Sequence, residues 1–204
     1  MLARINTVAF NGLEILDVDL QVQISSGLPA FMIVGLPDKA VGESRERVRA
    51  ALQSLGLSLP AKRITINLAP AALLKEGSHF DLPVALGLLA GMGLIPQEEL
   101  AGYVTLGELG LDGTILPVNG VLPVAIHANS LGKGLICPAA QGSEAVWSGL
   151  KDILAADNLL SLINHFKNGQ HIPFPTAAKQ TRETNFLDMS DVKGQESAKR
   201  ALEI

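Results

Sequence analysis

The sequence predicts an α+β fold, a mixed α/β arrangement of strands and helices, and three observations carry that prediction. The opening third alternates apolar and polar residues at the period of a strand. From Asp38 to Gly56 the apolar residues switch to helical spacing. Beyond that point short strand-like runs and helical runs alternate along the chain.

The elements follow in order. "ARINTVAF" and "EILDVDLQVQIS" are strands, and Asn11-Gly12 between them supplies hairpin turn chemistry. "PAFMIVG" (Pro29 to Gly35) follows the turn residues Ser26-Gly27, and three such consecutive runs predict an antiparallel meander. Asp38 is placed as the N-cap of a helix whose buried face is Val41, Val48, Leu52 and Leu55, with Gly56 ending it. "RITINLAP" (Arg63 to Pro70) is a fourth strand. In "LLKEGSHFDLPVALGLL", Asp81-Leu82-Pro83 fits an N-cap with proline in the first turn of an almost charge-free helix.

"YVTLGELGLDGTILPV" reads as two short strands around the Asp112-Gly113 turn. Gly120 to Ser130 is a helix, "GLICP" a buried strand and "SEAVWSGL" a helix, with "DILAAD" and "LLSLINHF" as a final strand and helix. From Asn168 to Ser190 the sequence turns polar, proline-punctuated and aperiodic, as a linker does. "DVKGQESAKRALEI" then begins a new helix that reads as cut at Ile204. Residues 1–167 are therefore expected to form one domain, 168–190 a linker, and 191–204 the start of a second domain.

Composition narrows the function. With 204 residues, 48% of them hydrophobic, the chain can build a substantial core. The net charge of −4 offers no global basic field for nucleic acid or membrane, so such a contact needs a local patch. A single cysteine, Cys137, excludes an internal disulfide and suits a reducing cytoplasm. "MLARINTVAF" carries no secretory signal pattern, and the longest uncharged run, Leu82 to Gln97, is shorter than the roughly 20 residues of a spanning helix. The expectation is a cytoplasmic protein with no membrane partner.

Motifs for common chemistries are mostly missing. The only Gly-Lys pair, Gly132-Lys133, is followed by Gly134 and has His127 where a phosphate loop needs its first glycine. No histidine or cysteine pair has metal-ligand spacing. Ser78-His79-x-Asp81 names the residues of a catalytic triad. Neighbours this close point apart, however, so Asp81 as a cap and Ser78 and His79 as loop residues is the favoured reading. Basic residues gather at Lys39, Arg45, Arg47 and Arg49 on the first helix and at Lys62-Arg63 before the fourth strand. They form either a solvated face paired with Glu43 and Glu46 or, in the sharper reading, a set of phosphate contacts.

Four separated stretches go further: "VGLPDKAVGESRERVRAAL", "INLAPAALLKEGSHFDLPVALGLL", "GELGLDGTILPVNGVLPVAIHA" and "DVKGQESAKRALEI". Together, in this order, they resemble the ComM/YifB family of magnesium chelatase-like AAA+ ATPases. That resemblance implies a Lon-like N-terminal domain, with the fold of Lon proteolytic domains and of the second domain of small-subunit ribosomal protein five. It also implies a following ATPase core whose leading helix is "DVKGQESAKRALEI".

Lon proteases use a serine in a "KDGPSAG" loop and a lysine in "GGLKEK". Laid on these, "KEGSHFD" puts His79 at the nucleophile position and "NGVLPVA" puts Leu122 at that of the lysine, which cannot act as a base. The resemblance thus implies a non-catalytic domain with no cofactor of its own. For the full-length protein it implies ATP and Mg2+, a hexameric ring and DNA as partner, with branch migration during natural transformation or recombination as the task. Lys39, Arg45, Arg47, Arg49, Lys62, Arg63 and Lys75 are the candidate nucleic-acid contacts. A docking or oligomerisation module without DNA contact is the alternative, and a magnesium chelatase-type subunit a third reading.

Overall fold

The computed structural model describes residues 2–12, 14–35, 37–167, 169–177 and 188–203. Its strands are β1 (Leu2–Asn11), β2 (Glu14–Ser25), β3 (Ala30–Val34), β4 (Arg63–Ala69), β5 (Tyr103–Thr105), β6 (Glu108–Leu109), β7 (Ile115–Leu116), β8 (Gly134–Pro138) and β9 (Ile153–Ala156). The helices are α1 (Lys39–Ser54), α2 (Asp81–Gly91), α3 (Gln97–Ala101), α4 (Val121–Ser130), α5 (Gly142–Ala145), α6 (Leu159–Phe166) and α7 (Glu196–Glu203). The class is mixed α/β, in keeping with the α+β expectation.

Seven strands form one sheet in the order β3-β4-β2-β1-β5-β8-β9, and β6 and β7 form a separate ribbon. β1 and β2 make the expected antiparallel hairpin, in register from Leu2↔Gln23 to Asn11↔Glu14. The expected meander stops there. β3 pairs parallel with β4, and it is β4 that lies antiparallel to β2. The reason is α1: a helix between two strands carries the chain back across the sheet, which produces a parallel pair. The pairs β1–β5, β5–β8 and β8–β9 are parallel too.

α2 lies at the centre. All of its residues are buried, as an apolar run without a polar face requires. It approaches the hairpin through glycine: a Cβ on Gly87 would lie 2.7 Å from Val22 Cγ2, and one on Gly91 would lie 3.2 Å from Ile24 Cδ1. Ile5, Leu20, Val22, Ile66 and Leu68 meet α1, α2 and α6 on this side of the sheet. On the other side Val8, Val104, Leu135 and Cys137 pack against Val121, Val124 and Ala125 of α4 and Ala145 of α5. That same side of β2 and β4 carries a polar row instead, where Gln21 donates to Asp19 at 2.6 Å and Asn67 donates to Gln21 at 3.2 Å.

The junction of β1 and β5 is reinforced by side chains. The Asn6 amide donates to the carbonyls of Ala101 and Tyr103 at 3.1 Å each. Gln97, on the unforeseen helix α3, accepts from Arg4 N–H at 3.0 Å and donates to its carbonyl at 2.6 Å.

Asp81 is not the cap of α2. The chain enters through a 3-10 turn, Ser78–Phe80, and Asp81 is the first helical residue, fully buried. Its own N–H donates to Ser78 O, and Leu82 N–H donates to Gly107 O at 2.9 Å. With these amides already satisfied by carbonyls, the helix start has no need of a side-chain cap, and the carboxylate is free to face elsewhere.

The predicted linker contributes to the packing. Residues 169–177 have no regular helix or strand, but Ile172 packs on the core and its N–H donates to His165 Nδ1 at 3.0 Å. Residues 168 and 178–187 of the linker lie outside the described residues. Asp188 caps a short turn, Met189–Asp191, and α7 follows without a buried residue. Among the described residues no helix is long and apolar enough to cross a membrane.

Candidate functional site

The corner flagged by "KEGSHFDL" is built from the Ser78–Phe80 turn, the start of α2 and β6. Gly77 opens it with φ of 96°, a left-handed conformation that favours glycine. Asp38 ties the corner to α1. One carboxylate oxygen caps Val41 N–H at 2.7 Å, the other accepts Gly77 N–H at 3.3 Å, and Asp38 N–H donates to Lys75 O at 2.9 Å. β6 is fastened alongside, since Gly107 N–H donates to His79 O at 3.0 Å and Leu109 N–H to Asp81 Oδ2 at 3.2 Å.

Ser78, His79 and Asp81 have three different partners, so they do not form a relay. The Ser78 hydroxyl donates to the Glu108 carboxylate. His79 Nε2–H donates to the Val8 carbonyl at 2.9 Å, and burial lowers the imidazole below its ordinary range, which keeps it neutral. Asp81 takes the Arg47 guanidinium in two hydrogen bonds, Nε–Oδ2 at 2.6 Å and Nη2–Oδ1 at 3.0 Å. The hydrogen bond to Asp81 raises Arg47 above its ordinary value, more than burial lowers it.

His79, at the position expected to replace a nucleophile, forms the floor of a cleft of about 400 Å³ that is also lined by Phe10, Glu76, Ser78 and Glu108. Leu122, at the position expected to replace a lysine, is half-buried in the first turn of α4 and is not part of that lining. The cleft's two carboxylates, Glu76 and Glu108, escaped the sequence reading. Both lie in quoted motifs, but nothing in their spacing places them together.

The seven basic candidates separate. Lys75 is fully buried, its ammonium donating to the Pro70 carbonyl, and burial lowers it below the ordinary lysine range. Arg47 is committed to Asp81. Lys39 is exposed near Glu43 at 3.7 Å, at the N-terminal end of α1, while the arginines lie in the middle of the helix. Arg45 and Arg49 share Glu46, at 2.9 and 3.8 Å. Arg49 and Lys62 line one cleft of about 390 Å³ with Phe31, Leu59 and Pro60, and exposed Arg63 follows at the start of β4. The structure therefore brings Arg49 and Lys62 to one cleft, leaves Arg45 on the exposed face of α1 and Arg63 at the start of β4, and withdraws Arg47 and Lys75.

Cys137 and the Gly132-Lys133 pair are chemically quiet. Cys137 is buried in β8, and burial pushes its thiol up to about 12. Gly132-Lys133 sits in the turn from α4 into β8, whereas a phosphate loop leads from a strand into a helix. Among the described residues no group of three or more His, Cys, Asp or Glu is placed to hold a metal ion.

Residues 20–141, which contain the Arg47–Asp81 pair, His79 and Glu108, match the family model described as subunit ChlI of Mg-chelatase. The chain belongs to that magnesium chelatase-like family. Within it, the chain is 37% identical over 208 residues to the competence protein ComM of Haemophilus influenzae and 39% identical over 206 residues to YifB of Escherichia coli. It is also 37% identical over 203 residues to YifB of Salmonella typhimurium. Each of these alignments covers 100% of this chain and 40–41% of the relative, so the chain spans about two fifths of the length of these curated relatives. The resemblance to ComM/YifB proteins noted from four sequence blocks thus extends across the whole chain.

Proposed function

We propose that the chain is the non-catalytic N-terminal domain of a ComM-like AAA+ ATPase. Residues 1–167 form a Lon-like accessory domain, 168–190 connect it, and 191–204 begin the motor domain. The full-length protein is a cytoplasmic, homohexameric motor that uses ATP and Mg2+ to migrate branched DNA during transformation or recombination. What carries this reading is the 37% identity to the competence protein ComM along the entire chain. The replacement of a Ser-Lys dyad by His79 and Leu122 supports the absence of peptidase chemistry.

In this reading Arg45, Arg49, Lys62 and Arg63 contact DNA phosphates, with Lys39 as a separate, outlying contact. Fluorescence anisotropy with single-stranded and forked DNA at two salt concentrations tests it. Affinity should fall with salt and fall further in Lys62→Ala and Arg63→Ala. The purified chain should turn over neither ATP nor peptides.

The net charge of −4 favours a second reading, a docking or oligomerisation module without DNA contact. Absence of binding at low salt, together with a defined oligomer in solution, would select it. A chelatase-type role is tested by magnesium insertion into a porphyrin by the full-length protein.

A further inference from the structure

We propose that the cleft beside the Ser78–Phe80 turn binds an arginine side chain presented by a partner protein. This site stands apart from the DNA reading and from the cleft of Arg49 and Lys62.

The polar groups of the cleft are acceptors in need of a donor. Glu108 accepts the Ser78 hydroxyl at Oε2, and its Oε1 has no hydrogen-bond donor among the described residues. Glu76 is exposed, and neither carboxylate has a lysine or arginine ion-pair partner among the described residues. Nearby cations have their hydrogen bonds elsewhere: Arg47, which also feels the Glu108 charge, donates to Asp81, and the Lys75 ammonium donates to the Pro70 carbonyl.

His79 supplies a third acceptor, independent of the carboxylates. It is only 6% exposed, and its Nε2 must carry the proton because the Val8 carbonyl can only accept. That leaves Nδ1 with a free lone pair and no hydrogen-bond donor among the described residues. Nδ1 lies under Gly77, where a Cβ would stand 3.2 Å from it, so glycine keeps the approach to this nitrogen open. Burial holds the ring neutral, which preserves the lone pair.

The complement of this arrangement is a positively charged group with several fixed donors. A phosphate or carboxylate ligand would face two carboxylates that lack a direct ion pair, with Arg47 acting on Glu108 only from a distance. A metal ion would lack a ligand set, since no suitable group of three or more side chains exists among the described residues. A guanidinium offers five N–H donors in one plane, matched to carboxylates, while an ammonium is a point charge on a flexible stem.

The walls favour the guanidinium as well. Phe10, Pro117 and Val118 give apolar surface for the aliphatic stem and an aromatic ring for the head. Phe10 is held in place, edge-on to His79 at 5.3 Å and pressed on Gly120, where a Cβ would come within 2.7 Å of the ring. Because β6 is fastened to the turn and to Asp81, Glu108 needs little reordering on binding.

The test is a titration of the 204-residue protein with an end-blocked Gly-Arg-Gly peptide and with the same peptide carrying citrulline, which keeps the shape and removes the charge. Calorimetry and two-dimensional amide NMR read the result. The expected outcome is saturable binding of the arginine peptide alone, with shifts confined to Gly77, His79, Glu108 and their neighbours. Glu108→Gln should weaken it at least about tenfold, as losing one member of a hydrogen-bonded charge pair does. Glu76→Gln, on an exposed residue, gives the same reading should Glu108→Gln fail to fold. No saturable binding, equal binding of the citrulline peptide, or affinity unchanged in the folded variants overturns the proposal.

Discussion

Arg47 and Asp81, separated by 34 residues, meet through two hydrogen bonds of 2.6 and 3.0 Å at the crossing of α1 and α2. The carboxylate has no exposure and also accepts Leu109 N–H, so one buried anion joins both helices to β6. Arg47 is spread further, donating to the Ala40 carbonyl at 3.1 Å and standing 3.8 Å from Glu43. Such a pair is a weak source of net stability but a costly one to break, because the survivor is left charged and buried.

Arg47→Ala is therefore expected to lose about 3–5 kcal/mol of unfolding free energy, read from urea denaturation. Replacing both partners, as in Arg47→Met with Asp81→Leu, should lose less than Arg47→Ala alone, since no orphaned charge remains. An Arg47→Ala protein within about 1 kcal/mol of the parent would show that Asp81 is not isolated as described.

His79 predicts a pH dependence. Burial depresses its folded value below the ordinary histidine pKa of about 6.5. Between those two values the unfolded chain binds a proton that the folded chain refuses, so stability falls as pH is lowered through that window. It is fully present above the unfolded value, and the loss levels off below the folded one. His79→Gln, whose amide can still donate to Val8, should flatten this component between about pH 7 and pH 5 relative to the parent. Equal slopes for the two proteins would exclude His79 as the source.

What could be read from the sequence follows the range of the interactions concerned. α1 announces itself because capping and apolar spacing are local, and Asp38 does cap Val41, while α2 does so through its unbroken apolar run. The partner of β3 is not local: an alternating strand carries no mark of whether β2 or β4 will lie beside it. Asp81 misled for a related reason. An aspartate before Leu-Pro has the pattern of a cap, yet carbonyls from Ser78 and Gly107 reach the amides first.

α3, Gln97–Ala101, is too short to show a helical period. At the candidate site His79 stood out by its motif, while Glu108 reaches it only through the folding of β6. Lys75 looked like a loop cation, and nothing in "LLKEGS" signals that its side chain turns inward.

That inward turn gives a third prediction. Lys75 is fully buried and its ammonium meets the Pro70 carbonyl, so desolvation lowers its folded pKa. Lys75→Met keeps the length and removes the desolvated charge, and is expected to raise the urea midpoint at neutral pH. The parent should gain stability as pH rises from the lowered folded value toward the ordinary lysine value of about 10.4, because the unfolded chain there holds a proton the folded one has released. The variant should lack that gain. A Lys75→Met protein less stable than its parent, with the alkaline rise intact, would contradict this account.

Gly87 tests how closely α2 sits on the β1–β2 hairpin. In an ordinary helix interior, Gly→Ala stabilises by roughly 0.5–1 kcal/mol through backbone entropy. Here the new methyl would meet Val22 Cγ2 at 2.7 Å, Leu20 Cδ2 at 3.2 Å and Ile5 Cγ1 at 3.4 Å. Val22 is β-branched and fully buried on its strand, so its freedom to move aside is restricted. Overpacking of this kind costs about 1–3 kcal/mol, more than the helix gains. Gly87→Ala is thus expected to lower the thermal midpoint, whereas Gly42→Ala at an exposed position of α1, where a Cβ would meet nothing within 4 Å, should raise it. If both substitutions moved the midpoint in the same direction, α2 would not be seated on the sheet at this glycine.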